Sequence, residues 1–199
     1  MDDGFKNVVP GRVPSAGEEA TQVLGMVVFL CGWAMLFCGL FMAYGVIRSS
    51  THPWPPVDEP RLPRGLGLAA TAVLLLSSGS HAWGLRQLQE DAGRAAAVGF
   101  SVAVALGLAF VSLQLATFSL LANSGLSLAS GAYGSIVFTL IGFHLVQMLI
   151  TLGGQALVCV KTMRGLYNAA RLQPARLWGM YLHAVTAAWC ATYAAVYLA

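Results

Sequence analysis

The side chains in this 199-residue chain that could hold a metal or move a proton are four histidines, His52, His81, His144 and His183, and four cysteines, Cys31, Cys38, Cys159 and Cys190. Cys31 and Cys38 stand two helical turns apart, but no close cysteine pair has a histidine nearby, so the spacing spells out neither a zinc nor a copper cage. In a helix such thiols behave as small hydrophobes. Acids and fixed cations are absent from every long apolar run, which argues against a proton relay built on carboxylates. Histidine is what remains. At 1.5 Å per residue His81 lies about 7.5 Å from Arg86 and His183 about 10.5 Å from Arg176, a similar depth, whereas His144 falls near the middle of its run and His52 outside any. Two histidines facing each other at one depth can ligate a haem iron axially, so a haem b-bearing membrane anchor is one reading of His81 and His183. The other is hydrogen bonding to a neighbouring helix.

The elements that must position these groups follow from composition. Hydrophobic residues make up 57% of the chain and charged ones 10%, against about 25% charged in a soluble domain. Uncharged runs extend from Ala20 to Ile47, Gly65 to Leu85, Ala95 to Val160 and Leu177 to Ala199. A helix crosses the hydrocarbon core with about 20 apolar residues, so the third run holds two helices. Its break falls where Asn123, Ser124 and Gly125 open a small, polar stretch that closes with Ser130 and Gly131. The expectation is an all-α integral membrane protein. It has a short N-terminal segment over 1–19 and one five-helix domain over 20–199, with helices near 20–47, 65–87, 94–122, 132–160 and 176–199. The first 19 residues carry four acids and two bases, so they do not read as a signal peptide and the first helix is retained.

Eight Lys and Arg fall on the side of the N-terminus, against Arg48, Arg61 and Arg64 opposite. The excess predicts a cytoplasmic N-terminus and a periplasmic C-terminus. A net charge of +3 calls for no nucleic acid. Three stripes of small residues predict close helix contacts: Gly25, Gly32 and Gly39; Gly99, Ala103 and Gly107; Ala187, Ala191 and Ala195. In the outer loop Pro55 and Pro56 stiffen the chain and Trp54 can anchor at the interface, which makes a docking edge or a rigid connector.

The residue order adds a resemblance. Trp54, Pro55 and Pro56, then Thr71, Leu74, Leu75, Ser77, Ser78 and Trp83, resemble subunit III of the haem-copper respiratory oxidases. So do Leu106, Gly107, Leu108, Phe110, Leu113 and Gln114. The block Gly131, Tyr133, Gly134, Ser135, Phe138, Gly142, Phe143 and His144 is the most specific, and Trp178, His183, Val185, Trp189, Tyr193 and Tyr197 complete the pattern over about 85% of the chain. The resemblance implies the short five-helix form, a multi-pass protein of the bacterial inner membrane. It implies an accessory subunit without a catalytic site or cofactor of its own, packed beside subunit I in a proton-pumping complex with subunit II. The haems and copper belong to those partners. It also implies bound phospholipid, in a cleft between the first two helices and the last three. Arg86, Arg94 and Arg176 are candidates to meet lipid phosphates.

The departures from that pattern are specific. Trp33 stands where the family usually has Glu, Thr117 where mitochondrial-like members have another, Gln147 for a second His, and Thr186 for an Asp. A proton-buffering role is thereby weakened, and a packing role is not. His144, Gln147, His183, Gln114, Thr117 and Thr186 all offer donors or acceptors, and the expectation is that they join in one interhelical polar cluster. Three alternatives stand beside the oxidase reading: the haem b anchor, a subunit III homologue of a nitric oxide reductase or quinol-oxidising relative, and a stand-alone assembly protein.

Overall fold

A computed structural model of the chain describes residues 15–56 and 60–198. Residues 1–14 of the expected N-terminal segment, and Ala199, lie outside the described residues. Five helices follow one another: α1 (Ala16–Ser50), α2 (Arg64–Gln89), α3 (Gly93–Asn123), α4 (Gly131–Met163) and α5 (Gln173–Thr192). A single 3-10 turn over Ala169–Arg171 precedes α5, and the chain continues beyond it as a wider π-helical turn over Tyr193–Leu198. No strand occurs among the described residues.

The helix α1 starts before residue 20 because a capping box starts it. The Ser15 hydroxyl accepts from the Glu18 N–H at 3.3 Å, and the Ser15 N–H donates to the Glu18 carboxylate at 2.7 Å. Two backbone donors that a helix end leaves free are thus satisfied, and Glu18 and Glu19 oppose the positive end of the helix dipole. The break between α3 and α4 sits at the small, polar stretch. Gly125 (φ 88°) and Gly131 (φ 80°) take left-handed conformations open to glycine, and Leu126 between them is fully buried, plugging the turn into the bundle.

The helices alternate in direction. Ser77 and Gly84 of α2 meet Ala103 and Gly99 of α3, and Phe110 and Ser101 of α3 meet His144 and Cys159 of α4. Gln155 and His144 of α4 meet Trp178 and Trp189 of α5. The helix α5 closes the ring on α2, with Ala175 beside His81 at one end and Tyr197 beside Gly67 at the other. By length and composition α1, α2, α3 and α4 suffice to cross a membrane. The helix α5 is less apolar because it buries Gln173, Thr186 and Thr192 against its neighbours, yet it runs the length of α2.

Helix α1 is the outlier, since it buries only Phe37 and Tyr44. It leans on α4 and α5 from outside the ring, so two expectations need correction. The stripe of Gly25, Gly32 and Gly39 is not a helix contact: a Cβ on any of them would meet nothing within 4 Å. Ala191 likewise faces outward, and Ala187 opens onto the groove beside α1 rather than onto a packed seam. Only the α3 stripe is a seam, with Ala103 buried and a Cβ on Gly99 falling 2.7 Å from Cα of Gly84. For the same reason the expected division between the first two helices and the last three is not the one found among the described residues. The helix α2 is packed on α3 along its length, and the open groove, about 460 Å³, lies between α1 and the faces of α4 and α5.

Candidate functional site

The interior of the ring is organised by α2. Its buried residues, Gly67, Ala70, Leu74, Ser77, His81, Gly84 and Leu88, alternate in steps of three and four, so small and polar groups form one stripe aimed at α3 and α5. Ser77 donates to the Ala103 carbonyl at 2.8 Å. His81 Nε2 meets the Ala175 carbonyl at 3.1 Å, so that nitrogen carries the proton. Ser78 bonds Nδ1 of His183, and Thr71 accepts from the Trp189 indole at 3.0 Å while donating to the Gly67 carbonyl at 2.8 Å. From α4, Gln155 donates to the Trp178 carbonyl at 3.1 Å. These bonds tie α2, α3, α4 and α5 together.

The six residues expected to form one polar cluster behave differently. No hydrogen bond joins any two of them among the described residues. Thr117 and Thr186 donate to the carbonyls of Leu113 and Leu182 on their own helices, at 2.9 and 2.8 Å, the default for a threonine surrounded by apolar groups. His183 is exposed on the bundle surface and held by Ser78. His144 is fully buried in an aromatic box, with ring centroids 4.9 Å from Trp189, 5.7 Å from Phe110 and 6.3 Å from Phe37. Neither of its nitrogens has a hydrogen-bond partner; nor do both polar atoms of Gln114 and Oε1 of Gln147. Interhelical bonds run mainly through residues outside that set, Thr71, Ser77, Ser78, His81, Gln155 and Trp189, with His183 joining by way of Ser78. For Ser77 and His81 the signal was in the sequence, as the three-and-four spacing of small and polar residues along α2.

His81 and His183 do come together, with ring centroids 6.4 Å apart. The surroundings are those of packing. The His81 ring stacks at 4.9 Å from Phe100 and presses on Gly179 so closely that a Cβ there would lie 2.6 Å from Nε2. With Nε2 held by Ala175 and both sides of the ring covered, no slot is left for a porphyrin between α2 and α5. Among the described residues no group of three or more His, Cys, Asp or Glu could hold a metal ion.

Trp33 lies half-buried on α1 with its ring 5.1 Å from Phe143, and both Trp33 and Gln147 line the groove between α1, α4 and α5, together with Phe37, Phe41 and Tyr181. Trp54 packs at 5.6 Å on Tyr44 and 5.0 Å on Tyr133, fastening the connection between α1 and α2 to the bundle. His52 is exposed on the same connection. Arg86, Arg94 and Arg176 are exposed together at the opposite end.

The pattern of the cytochrome c oxidase subunit III family matches residues 16–199. The chain belongs to that family. Subunit III sequences that it resembles include the probable cytochrome c oxidase subunit 3 of Nocardia farcinica (strain IFM 10152), 26% identical over 96% of this chain and 94% of the relative. The subunit 3 of Bacillus sp. (strain PS3) is 26% identical over 91% of this chain and 87% of the relative. That of Latimeria chalumnae is 30% identical over 87% of this chain and 67% of the relative. Subunit III membership makes the chain a multi-pass membrane component of a multi-subunit terminal oxidase in the respiratory chain. It replaces the haem-anchor reading, for which the geometry around His81 already leaves no room.

Proposed function

We propose that this chain is the non-catalytic accessory subunit of its terminal oxidase. It packs beside subunit I, in a complex with subunit II, and holds phospholipid while stabilising the proton-pumping enzyme. The observation that carries this reading is how the buried histidines are used. His81 is locked to a backbone carbonyl and His144 is boxed by aromatic rings, which makes them packing groups rather than ligands or acid–base catalysts. Haems and copper then belong to the partner subunits, and cytochrome c is the electron donor that the names of its relatives favour.

Helix α1 supports the packing role. It turns Leu24, Val28, Met35, Met42 and Val46 outward, a long apolar face that another membrane subunit or lipid must cover. Lipid binding is supported by the apolar groove beside Trp33, Phe37 and Phe41, and by Arg86, Arg94 and Arg176 at the bundle end with the greater positive charge. That end faces the cytoplasm by the positive-inside rule, which sets the N-terminus in the cytoplasm and the C-terminus outside. Near full-length coverage of the Nocardia and Bacillus relatives, against 67% of the Latimeria one, favours the short bacterial form in the inner membrane.

The test is capture of the tagged chain from native membranes in mild detergent, with mass spectrometry of what accompanies it. Subunits I and II of a haem-copper oxidase are expected, with phospholipid retained. Recovery of the chain alone, or with a nitric oxide reductase, overturns the assignment.

A further inference from the structure

The groove between α1 and the faces of α4 and α5, about 460 Å³, is lined by Leu30, Trp33, Phe37, Phe41, Gln147 and Tyr181, among others, and no charged side chain is among the described residues around it. Small-molecule sites have this character: apolar and aromatic walls, a few polar groups, and a volume of roughly 300–1,000 Å³. Two polar groups of the groove are left over. Tyr181 is 1% exposed and Gln147 2%, and neither the Tyr181 hydroxyl nor Oε1 of Gln147 has a hydrogen-bond partner among the described residues. Residues 1–14 and 57–59 attach at helix ends, and the charges they carry are costly inside a membrane.

Polar atoms without partners in the walls of a membrane groove call for a ligand that brings its own polar atoms, because hydrocarbon offers none. Depth narrows the choice. Gln147 is the central residue of α4, about 24 Å from either end. The polar groups of a phospholipid lie outside a hydrocarbon core roughly 30 Å thick, so they stop about 15 Å from its middle. An acyl chain can fill the groove and still leaves Gln147 unpaired. The ligand that fits is apolar enough to enter the middle of the bilayer and carries both a donor and an acceptor on one compact group. A run of rings supplies the surface for a flat one: Trp33 packs at 5.1 Å on Phe143 and at 6.0 Å on Phe29, and Phe29 at 5.9 Å on Tyr181.

We propose that this groove binds an isoprenoid quinol, with one ring hydroxyl accepting from Tyr181 and the other donating to Oε1 of Gln147. The ring lies against the aromatic wall and the isoprenoid tail along the apolar face of α1. Oε1 needs a donor, which the reduced ring has and the oxidised quinone, with carbonyls in place of hydroxyls, lacks. The reduced form is therefore the tighter ligand. The purified full chain in mild detergent, titrated without oxygen with a ubiquinol or the matching ubiquinone, each with a short isoprenoid tail, and read by native mass spectrometry, tests it. One hydrogen bond is worth about fivefold in affinity, so ubiquinol is expected to bind about fivefold tighter than ubiquinone. Tyr181→Phe and Gln147→Leu are each expected to weaken ubiquinol binding by about fivefold. Gln147→Leu also removes the preference for the reduced form. Tyr181→Phe deletes a hydroxyl that bonds nothing among the described residues, so folding is not at stake. Ser112→Ala, on α3 and away from the groove lining, leaves the affinity unchanged.

Wild-type affinity for ubiquinol in Tyr181→Phe or in Gln147→Leu overturns the proposal, and so does binding of ubiquinone as tight as that of ubiquinol. Displacement of ubiquinol by an equal concentration of phospholipid assigns the groove to acyl chains and overturns it too. In the intact complex, a crosslink from position 34 to a helix of another subunit, with no quinol retained, assigns the groove to protein contact, with the same consequence. Quinol affinity of the full chain is read without the other oxidase subunits, so failure here is distinct from failure of the accessory-subunit reading.

Discussion

Two glycines that look alike in the sequence have opposite expected responses to a single methyl group. Gly99 on α3 faces α2: a Cβ there would fall 2.7 Å from Cα and 2.9 Å from N of Gly84, and 2.9 Å from the Trp83 ring. Carbon atoms rest at about 3.5–4.0 Å, so Gly99→Ala forces the helices apart by roughly 1 Å. The nearest atoms belong to backbone and cannot rotate away. Separation also strains the next turns, where Ser77 holds the Ala103 carbonyl at 2.8 Å and Phe100 stacks on His81. Overpacking of this kind costs about 1–3 kcal/mol. For a chain of this size each kcal/mol lowers the unfolding midpoint by about 2–4 °C, so a fall of several degrees is expected in the purified chain in mild detergent. Gly25 on α1 has nothing within 4 Å of a built Cβ, and Gly25→Ala is expected to leave the midpoint in place or raise it, by about 1 kcal/mol at most. A wild-type midpoint for Gly99→Ala, or equal falls for both variants, would refute the assignment of the seam to α2 and α3.

Four further substitutions probe the polar groups. His144→Leu removes a buried ring with no hydrogen bond; an unsatisfied buried polar group costs about 1–3 kcal/mol, so an unchanged or raised midpoint is expected, and a clear fall would reinstate a polar network around it. Ser78→Ala and His183→Ala, alone and together, should show coupling of about 0.6 kcal/mol in a double-mutant cycle, the average for hydrogen bonds between membrane helices; additive effects would deny the Ser78–His183 bond. Tyr44→Phe deletes the donor to the Ala195 carbonyl at 2.9 Å, and a local loss of about 1 kcal/mol should speed amide exchange over residues 195–198 and not in α3; equal acceleration everywhere would mean the bond supports the whole bundle.

Much of the architecture was readable because hydropathy and charge report directly on burial in lipid. The uncharged runs placed all five helices, and Asn123 to Gly131 placed the break within the longest run. The ends were less legible: the serine and glutamate at positions 15 and 18 form a capping box whose polar residues mask the helix they start. Which small residues make contacts was not legible from spacing, because spacing says which residues share a face and not whether a neighbour covers it. Gly25, Gly32 and Gly39 satisfy the same rule as Gly99, Ala103 and Gly107, yet α1 stands outside the ring. The polar cluster was misjudged for a related reason. Being polar and inside does not pair two residues when a threonine can bond its own helix, and the partners of His183 and Trp189 were hydroxyls on α2 at positions 78 and 71.

Three of the positions where the resemblance implies an acid or a histidine in the usual subunit III pattern have a common place in the structure. Trp33, standing for Glu, and Gln147, standing for His, line the same groove, and Thr186, standing for Asp, is the immediate neighbour of Val185 on its wall. A carboxylate facing an apolar groove needs a partner to remain charged. Once the acid is replaced by an indole packed 5.1 Å from Phe143, neither a second histidine nor an aspartate has a charge to balance there. Thr186 turns its hydroxyl to its own helix at 2.8 Å, and Gln147 keeps a neutral polar group at the groove. Among the described residues the groove is lined by Trp33, Phe37, Phe41 and the neutral amide of Gln147 and by no carboxylate, so its surface suits an apolar group.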